Sequence, residues 1–95
     1  MLINAKIVHG GGAHVLDCTI RDISVGGARI TIQQRDMVPR KFYLLDMVNR
    51  TAYEAELVSE RSGGFATRFL TTLPLAQVTA PELRYLKRIW LDSAR

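Results

Sequence analysis

The segment from Asp22 to Gly27, Asp-Ile-Ser-Val-Gly-Gly, holds the residues of this 95-residue chain whose types and spacing best suit ligand binding. A carboxylate accepts hydrogen bonds from N–H donors, and a hydroxyl either donates or accepts. Glycine lets a flat ring approach the backbone closely. The segment is therefore a candidate site for the hydrogen-bonding edge of a purine, with Asp22, Ser24 and Gly27 as the contacts.

The same segment also has the composition of a hairpin turn. Asp and Ser bond nearby backbone N–H groups, and a glycine pair can take positive φ without steric cost. The residues on both sides alternate between apolar and polar, as they do in half-buried strands. The segment thus predicts a turn between two strands, and a purely structural role for it stays open.

His9, His14 and Cys18 are the other residues with reactive side chains close together in the sequence, and imidazole and thiolate are zinc ligands. Cys18 falls on an apolar face with Leu16 and Ile20, where a free cysteine packs as a small hydrophobe. No second ligand pair follows, and no third group is evident that would orient a Cys–His nucleophile. We expect no metal, no cofactor and no catalytic residue, and therefore not an enzyme.

The bulk properties bound the class of protein. The length allows one domain, residues 1–95, and a hydrophobic content of 47% is ordinary for a globular chain. The sequence contains neither a transmembrane-length apolar run nor a signal peptide, so we expect no membrane insertion. A single cysteine excludes an internal disulfide and favours the cytoplasm. The net charge of +4 favours anionic partners such as a nucleotide, nucleic acid or a membrane surface.

Six short segments with strand-like patterns precede one helical segment. The first two flank Gly10-Gly11-Gly12, which lacks the ending of a phosphate-binding loop and predicts a hairpin turn. A polar loop is predicted from Gln33 to Arg40, and a turn from Arg61 to Gly64. The predicted strands are Leu2 to Val8, His14 to Arg21, Gly27 to Ile32, Phe42 to Val48, Thr51 to Ser59 and Phe65 to Leu70. This pattern indicates a small antiparallel barrel or sandwich.

The one predicted helix runs from Thr79 to about Ser93, after an irregular stretch. Thr79 and Glu82 have the spacing of a capping box. An apolar stripe recurs at helical spacing, and it consists of Leu83, Leu86, Ile89 and Trp90. We expect the helix to pack across the open end of the sheet, with Trp90 as its anchor. A partner-binding or membrane-surface helix is the alternative.

The order of elements and the segment from Asp22 to Arg29 resemble the PilZ domain, which carries Asp/Asn-x-Ser-x-x-Gly between its second and third strands. The segment from Glu56 to Phe69 is similar to the closing hairpin of that family, and the likeness covers about residues 2–70. The resemblance implies an all-β fold, a six-stranded antiparallel barrel with a C-terminal helix. It also implies a bacterial, non-catalytic receptor for cyclic di-GMP that signals by conformational change or through a downstream protein partner.

Carried over to this chain, the resemblance implies that Asp22 and Ser24 contact the edge of a guanine. It also implies that Gly27 lets the base approach the backbone closely. The family's second motif, Arg-x-x-x-Arg on an arm ahead of the first strand, has no counterpart here, because Lys6 is the only cation before Arg21. Either Met1 is an internal methionine of a longer open reading frame, or the chain has lost the arm.

Binding of cyclic di-GMP by these 95 residues is accordingly expected to be weak or undetectable. Each charge-assisted hydrogen bond to a phosphate contributes about 1.5–3 kcal/mol. Arg21 and Arg29 are the predicted substitutes beside the motif, and Arg68 is a third if it lies near the turn.

Two other functions remain open at this point. A ligand-independent protein-interaction adaptor on the same fold predicts a contiguous exposed apolar patch. A small basic barrel that binds single-stranded nucleic acid needs aromatic side chains on an exposed sheet face. That function is disfavoured, because the strand patterns turn Tyr43, Tyr53, Phe65 and Phe69 inward.

Overall fold

The computed structural model describes residues 2–33, 35–61 and 64–93. Six antiparallel strands form a closed barrel in the order β1-β2-β3-β6-β5-β4, and one helix follows them. The strands are β1 (Ile3–His9), β2 (His14–Ile23), β3 (Gly27–Thr31), β4 (Lys41–Asp46), β5 (Thr51–Arg61) and β6 (Gly64–Pro74), and the helix is α1 (Arg84–Ser93). The predicted fold class, an all-β barrel with a C-terminal helix, is confirmed.

The interior of the barrel is filled by alternate residues of every strand, as the period-two patterns predict. Its fully buried side chains include Ile7, Ile20, Ile30 and Leu44. Toward one end, the rings of Tyr53 and Phe69 stack with their centroids 4.0 Å apart. The alternation on β1, β2, β3, β5 and β6 therefore identified the inward faces correctly.

A second apolar core lies outside the barrel, between α1 and the wall formed by β1, β4 and β5. Val8, Leu45 and Ala52 point outward and are nevertheless fully buried, since Leu86 of the helix packs over this wall. The prediction that the helix crosses an open end of the sheet is wrong. So is the inward assignment of Tyr43, which packs in this outer core. When both faces of a strand are covered, its sequence is a nearly continuous apolar run, as it is in β4.

Helix α1 begins later than the sequence predicts. A 3-10 turn, Pro81–Leu83, precedes it, and the capping residue is Ala80, without a side-chain cap. The capping box of Thr79 and Glu82 is therefore wrong. A proline disfavours helical backbone in the residue before it, and Ala80 is extended, with φ −62° and ψ 125°. The helical conformation consequently cannot extend back to Thr79.

Trp90 anchors the helix to the β4–β5 connection, as predicted, although on the outer wall. Its indole N–H donates to the carbonyl of Met47 at 2.9 Å. The guanidinium of Arg50 lies 4.9 Å from the ring centroid, a cation–π contact. Arg50 itself takes the left-handed conformation, with φ 53°. The side chain of Trp90 thus fixes α1 to the turn between β4 and β5.

The remaining connections differ from their predictions in detail. Gly10–Gly12 connects the antiparallel strands β1 and β2, and all three glycines have positive φ, so the predicted hairpin turn is confirmed. The predicted loop after β3 contains a 3-10 turn, Arg35–Met37, and β6 continues to Pro74, where irregular chain was expected. Ser62 and Gly63 of the predicted β5–β6 turn, and Gln34 of the loop, lie outside the described residues. Among the residues described, no helix has the length and apolar content of a transmembrane span.

Asp46 is fully buried at the end of β4 and organises the turn that follows it. Its carboxylate accepts from the backbone N–H groups of Val48 (3.0 Å) and Asn49 (2.8 Å), and from the Asn49 amide (2.8 Å). We expect Asp46→Ala to lower the free energy of unfolding by about 2–4 kcal/mol, because these donors lose a charged acceptor. Urea denaturation measures the change. Asp46→Asn keeps one acceptor oxygen and should cost less, whereas equal stability of all three proteins would contradict this role.

Candidate functional site

A β-bulge at the end of β2 turns the predicted carboxylate outward. The β2–β3 register shifts between Ile20 and Asp22, where Arg21 is the extra residue. A bulge interrupts the alternation of side chains, so Arg21 and Asp22 are both exposed while Ile23 turns inward. Asp22 therefore belongs to β2, rather than to the turn, and faces solvent directly opposite Arg29.

Asp22 and Arg29 form an ion pair across the two strands. Their side chains are 66% and 63% exposed. An exposed pair of this kind contributes about 0.2–1 kcal/mol. The carboxylate is thus engaged in the free protein but remains within reach of another partner.

Ser24 begins the turn between β2 and β3, and its side chain is exposed. Its backbone N–H donates to the carbonyl of Gly27 at 2.8 Å, and its hydroxyl donates to the same oxygen at 3.3 Å. On the neighbouring strand, the N–H of Phe69 donates to the carbonyl of Gly26 at 2.9 Å. The turn is therefore fixed to β6, and the Ser24 oxygen keeps its lone pairs as acceptors.

Gly27 has a structural role that the sequence did not reveal. A Cβ atom built on it would lie 2.2 Å from the backbone oxygen of Thr67, across the β3–β6 pair. The close neighbour that requires glycine is thus the backbone of β6. A Cβ on Gly26 would meet nothing within 4 Å. Neither glycine has positive φ, so the predicted use of left-handed backbone at this pair is wrong.

Three arginines from three strands surround the turn. Arg21 is the exposed residue of the bulge, and Arg29 lies opposite Asp22. Arg68 of β6 is the register partner of Gly27, and its guanidinium donates to Glu56 at 2.6 Å. The five predicted ligand contacts, together with Arg68, therefore lie at one end of the β2–β3–β6 wall. Glu56 was predicted to face outward on β5, but its pairing with Arg68 depends on the β5–β6 register.

A broad groove of about 1200 Å³ lies elsewhere, on the outer face of β1, β2 and β3. The ion pair of Lys6 and Asp17 lies in it, and Val48 and Ser93 line it toward the end of α1. The five predicted contact residues do not line this groove. The surface around Asp22 is an open face of the barrel, suited to a ligand that lies against it.

The reactive residues on β1 and β2 form no common site. His9 and His14 are register partners with stacked rings, whose centroids are 4.7 Å apart. Cys18 lies four residues from His14, about 13 Å along the strand, and packs in the barrel interior. Within the described part of the chain, no cluster of three or more histidine, cysteine or acidic side chains could hold a metal ion.

Burial raises the pKa of the Cys18 thiol to about 12, and Asp17 adds to the rise while Lys6 opposes it. The unfolded chain therefore loses this proton at a lower pH than the native protein does. We expect stability to fall as the pH rises from 9 toward 12, and no effect of this group below that window. Urea unfolding as a function of pH measures the loss, which Cys18→Ala should reduce. A native thiol that reacts with Ellman's reagent at pH 8 as fast as the unfolded one would contradict the burial.

Comparison with known proteins adds no relative: no family model, no curated protein and no solved structure matches the chain.

Proposed function

We propose that this chain is a PilZ-like regulatory module that binds cyclic di-GMP at the β2–β3 turn. The observation that carries the proposal is the exposed carboxylate of Asp22 beside the exposed hydroxyl of Ser24, at the outer end of a six-stranded barrel. The motif that resembles the family's begins near the end of the second strand, passes through the turn, and ends at the first residue of the third strand.

The chemistry of guanine suits this pair of groups. The Watson–Crick edge of guanine presents N–H donors, which a carboxylate accepts, and its other edge presents the acceptors N7 and O6. Asp22 takes the donor edge, and the Ser24 hydroxyl leaves its long 3.3 Å bond to Gly27 to donate to an acceptor of the base or to a phosphate. Arg21 and Arg29 supply guanidinium groups for the phosphates. Gly27 contributes by holding the turn against β6.

The affinity of these 95 residues for the dinucleotide is expected to be low. Without the Arg-x-x-x-Arg pair, two charge-assisted contacts of about 1.5–3 kcal/mol each are missing. A loss of 3 kcal/mol corresponds to a factor of about a hundred in Kd. Titration must therefore extend to millimolar ligand.

The test is an NMR titration of the isotope-labelled protein with cyclic di-GMP. We expect shift changes at Asp22, Ser24 and their neighbours, and loss of binding in Asp22→Ala. The matched control is Asp17→Ala, which removes an exposed carboxylate from the same strand, paired with Lys6 outside the turn. Cyclic di-AMP should bind more weakly, because adenine lacks the N1–H donor. No shift change at millimolar cyclic di-GMP would overturn the proposal.

A protein-interaction adaptor is the second candidate, and one exposed pair of apolar side chains favours it. Val25 at the tip of the turn is 98% exposed, and Leu70 on the adjoining strand is 43% exposed. Each is the sequence neighbour of a residue in the hydrogen bond between Phe69 and Gly26. If this pair is a contact surface, Val25→Ser should weaken association with the partner and leave nucleotide binding unchanged.

Binding of single-stranded nucleic acid is disfavoured by the positions of the four aromatic residues considered for it. Tyr53 and Phe69 stack on each other, and Phe65 is buried in the barrel. Tyr43 packs beneath α1. All four rings are at least partly buried and pack against other side chains, which disfavours them as stacking platforms for bases.

A further inference from the structure

The guanidinium that pairs with Asp22 resembles the proposed ligand in its hydrogen-bond donors. The guanidinium of Arg29 donates to Oδ2 of Asp22 in the free protein. A guanidinium is a planar fork of N–H donors, and the Watson–Crick edge of guanine presents a similar donor pair. Both groups therefore compete for one carboxylate.

We propose that Arg29 occupies the guanine position on Asp22 in the free protein and transfers to a phosphate when guanine binds. This inference rests on the proposed function. It assigns Arg29 two roles, that of an internal competitor for the base and that of a phosphate ligand. Specificity then comes from an exchange of two similar donor groups on one acceptor.

The structure favours Arg29 over Arg68 for this exchange. Asp22 and Arg29 are direct register partners, and about two-thirds of each side chain is exposed, so the guanidinium can swing away without disturbing the core. Arg68 is bound instead to Glu56, whose side chain is only 13% exposed. Arg68 is consequently held across β5 and β6, whereas Arg29 is already paired with the carboxylate that the base would take.

The exchange should change the affinities for guanosine and for cyclic di-GMP in opposite directions. An exposed ion pair shifts a competing equilibrium by up to about fivefold. Removal of the Arg29 charge should therefore raise the affinity for guanosine, which has no phosphate, by roughly two- to fivefold. The same change removes a charge-assisted phosphate contact, and should lower the affinity for cyclic di-GMP by about tenfold or more.

The experiment is an NMR titration of the wild-type protein and Arg29→Gln with guanosine and with cyclic di-GMP. Arg84→Gln is the charge-matched control, since Arg84 is exposed at the start of α1. We expect opposite changes for the two ligands in Arg29→Gln and no change in the control.

Each outcome decides a different question. If Arg29→Gln binds guanosine no better than the wild type does, including no binding to either, the exchange is wrong. The proposed function then still stands, provided that the wild type binds cyclic di-GMP and Asp22→Ala does not. If the wild type binds neither ligand at millimolar concentration, the proposed function fails and the exchange fails with it.

Discussion

The substitution Gly27→Ala is expected to lower the free energy of unfolding by about 3 kcal/mol or more. The added Cβ would lie 2.2 Å from the backbone oxygen of Thr67 and 3.2 Å from its carbonyl carbon. A backbone carbonyl in a strand cannot turn aside as a flexible side chain can, so β3 and β6 would have to separate. Urea denaturation of both proteins measures the difference in stability.

Gly26→Ala is the matched control for this substitution, because a Cβ there meets nothing within 4 Å. It should change stability by less than about 0.5 kcal/mol. Equal stability of the two variants would show that the β3–β6 contact is looser than described. A lost affinity in Gly27→Ala cannot by itself identify a ligand contact, since the same substitution disturbs the strands that position Asp22 and Ser24.

The substitution Leu86→Ala is expected to cost about 2–5 kcal/mol, as deletion of a fully buried leucine does. Leu86 is 0% exposed and lies between α1 and the outer wall of the barrel. The cavity would weaken the attachment of the helix more than the barrel itself. Thermal denaturation and amide hydrogen exchange of α1 would report the two effects separately.

The control for the helix is Leu91→Ala on its exposed side, where the side chain is 59% exposed. This variant should remain within about 0.5 kcal/mol of the wild type. If Leu86→Ala were equally neutral, the second core would contribute little to stability, and α1 would be only loosely attached.

The inward faces of the strands could be predicted from the sequence because a strand repeats every two residues. The outer core is harder to predict from the sequence than these inward faces are. Val8 follows Ile7, and Leu45 follows Leu44, so both faces of β1 and β4 carry apolar side chains. Such doubling indicates a covered outer face, but it does not say which element covers it.

The geometry of the site depends on contacts that are distant in sequence. The bulge at Arg21 follows from the pairing of β2 with β3, and no glycine or proline marks it. The need for glycine at position 27 comes from Thr67, forty residues away. The residue types of the site were accessible from the motif, whereas the pairing of Asp22 with Arg29 required the register of the two strands.

Closure of the barrel restricts how another protein could bind to it. Each of the six described strands has a hydrogen-bonded neighbour on both sides. Where two strands are paired in this way, a partner finds no free edge to which it could add a strand of its own, a common means of peptide capture. Residues 14–18 of β2 are an exception, because their register partners lie on β1 alone. Around Asp22, where β2, β3 and β6 are paired with one another, a protein partner would have to be bound through side chains.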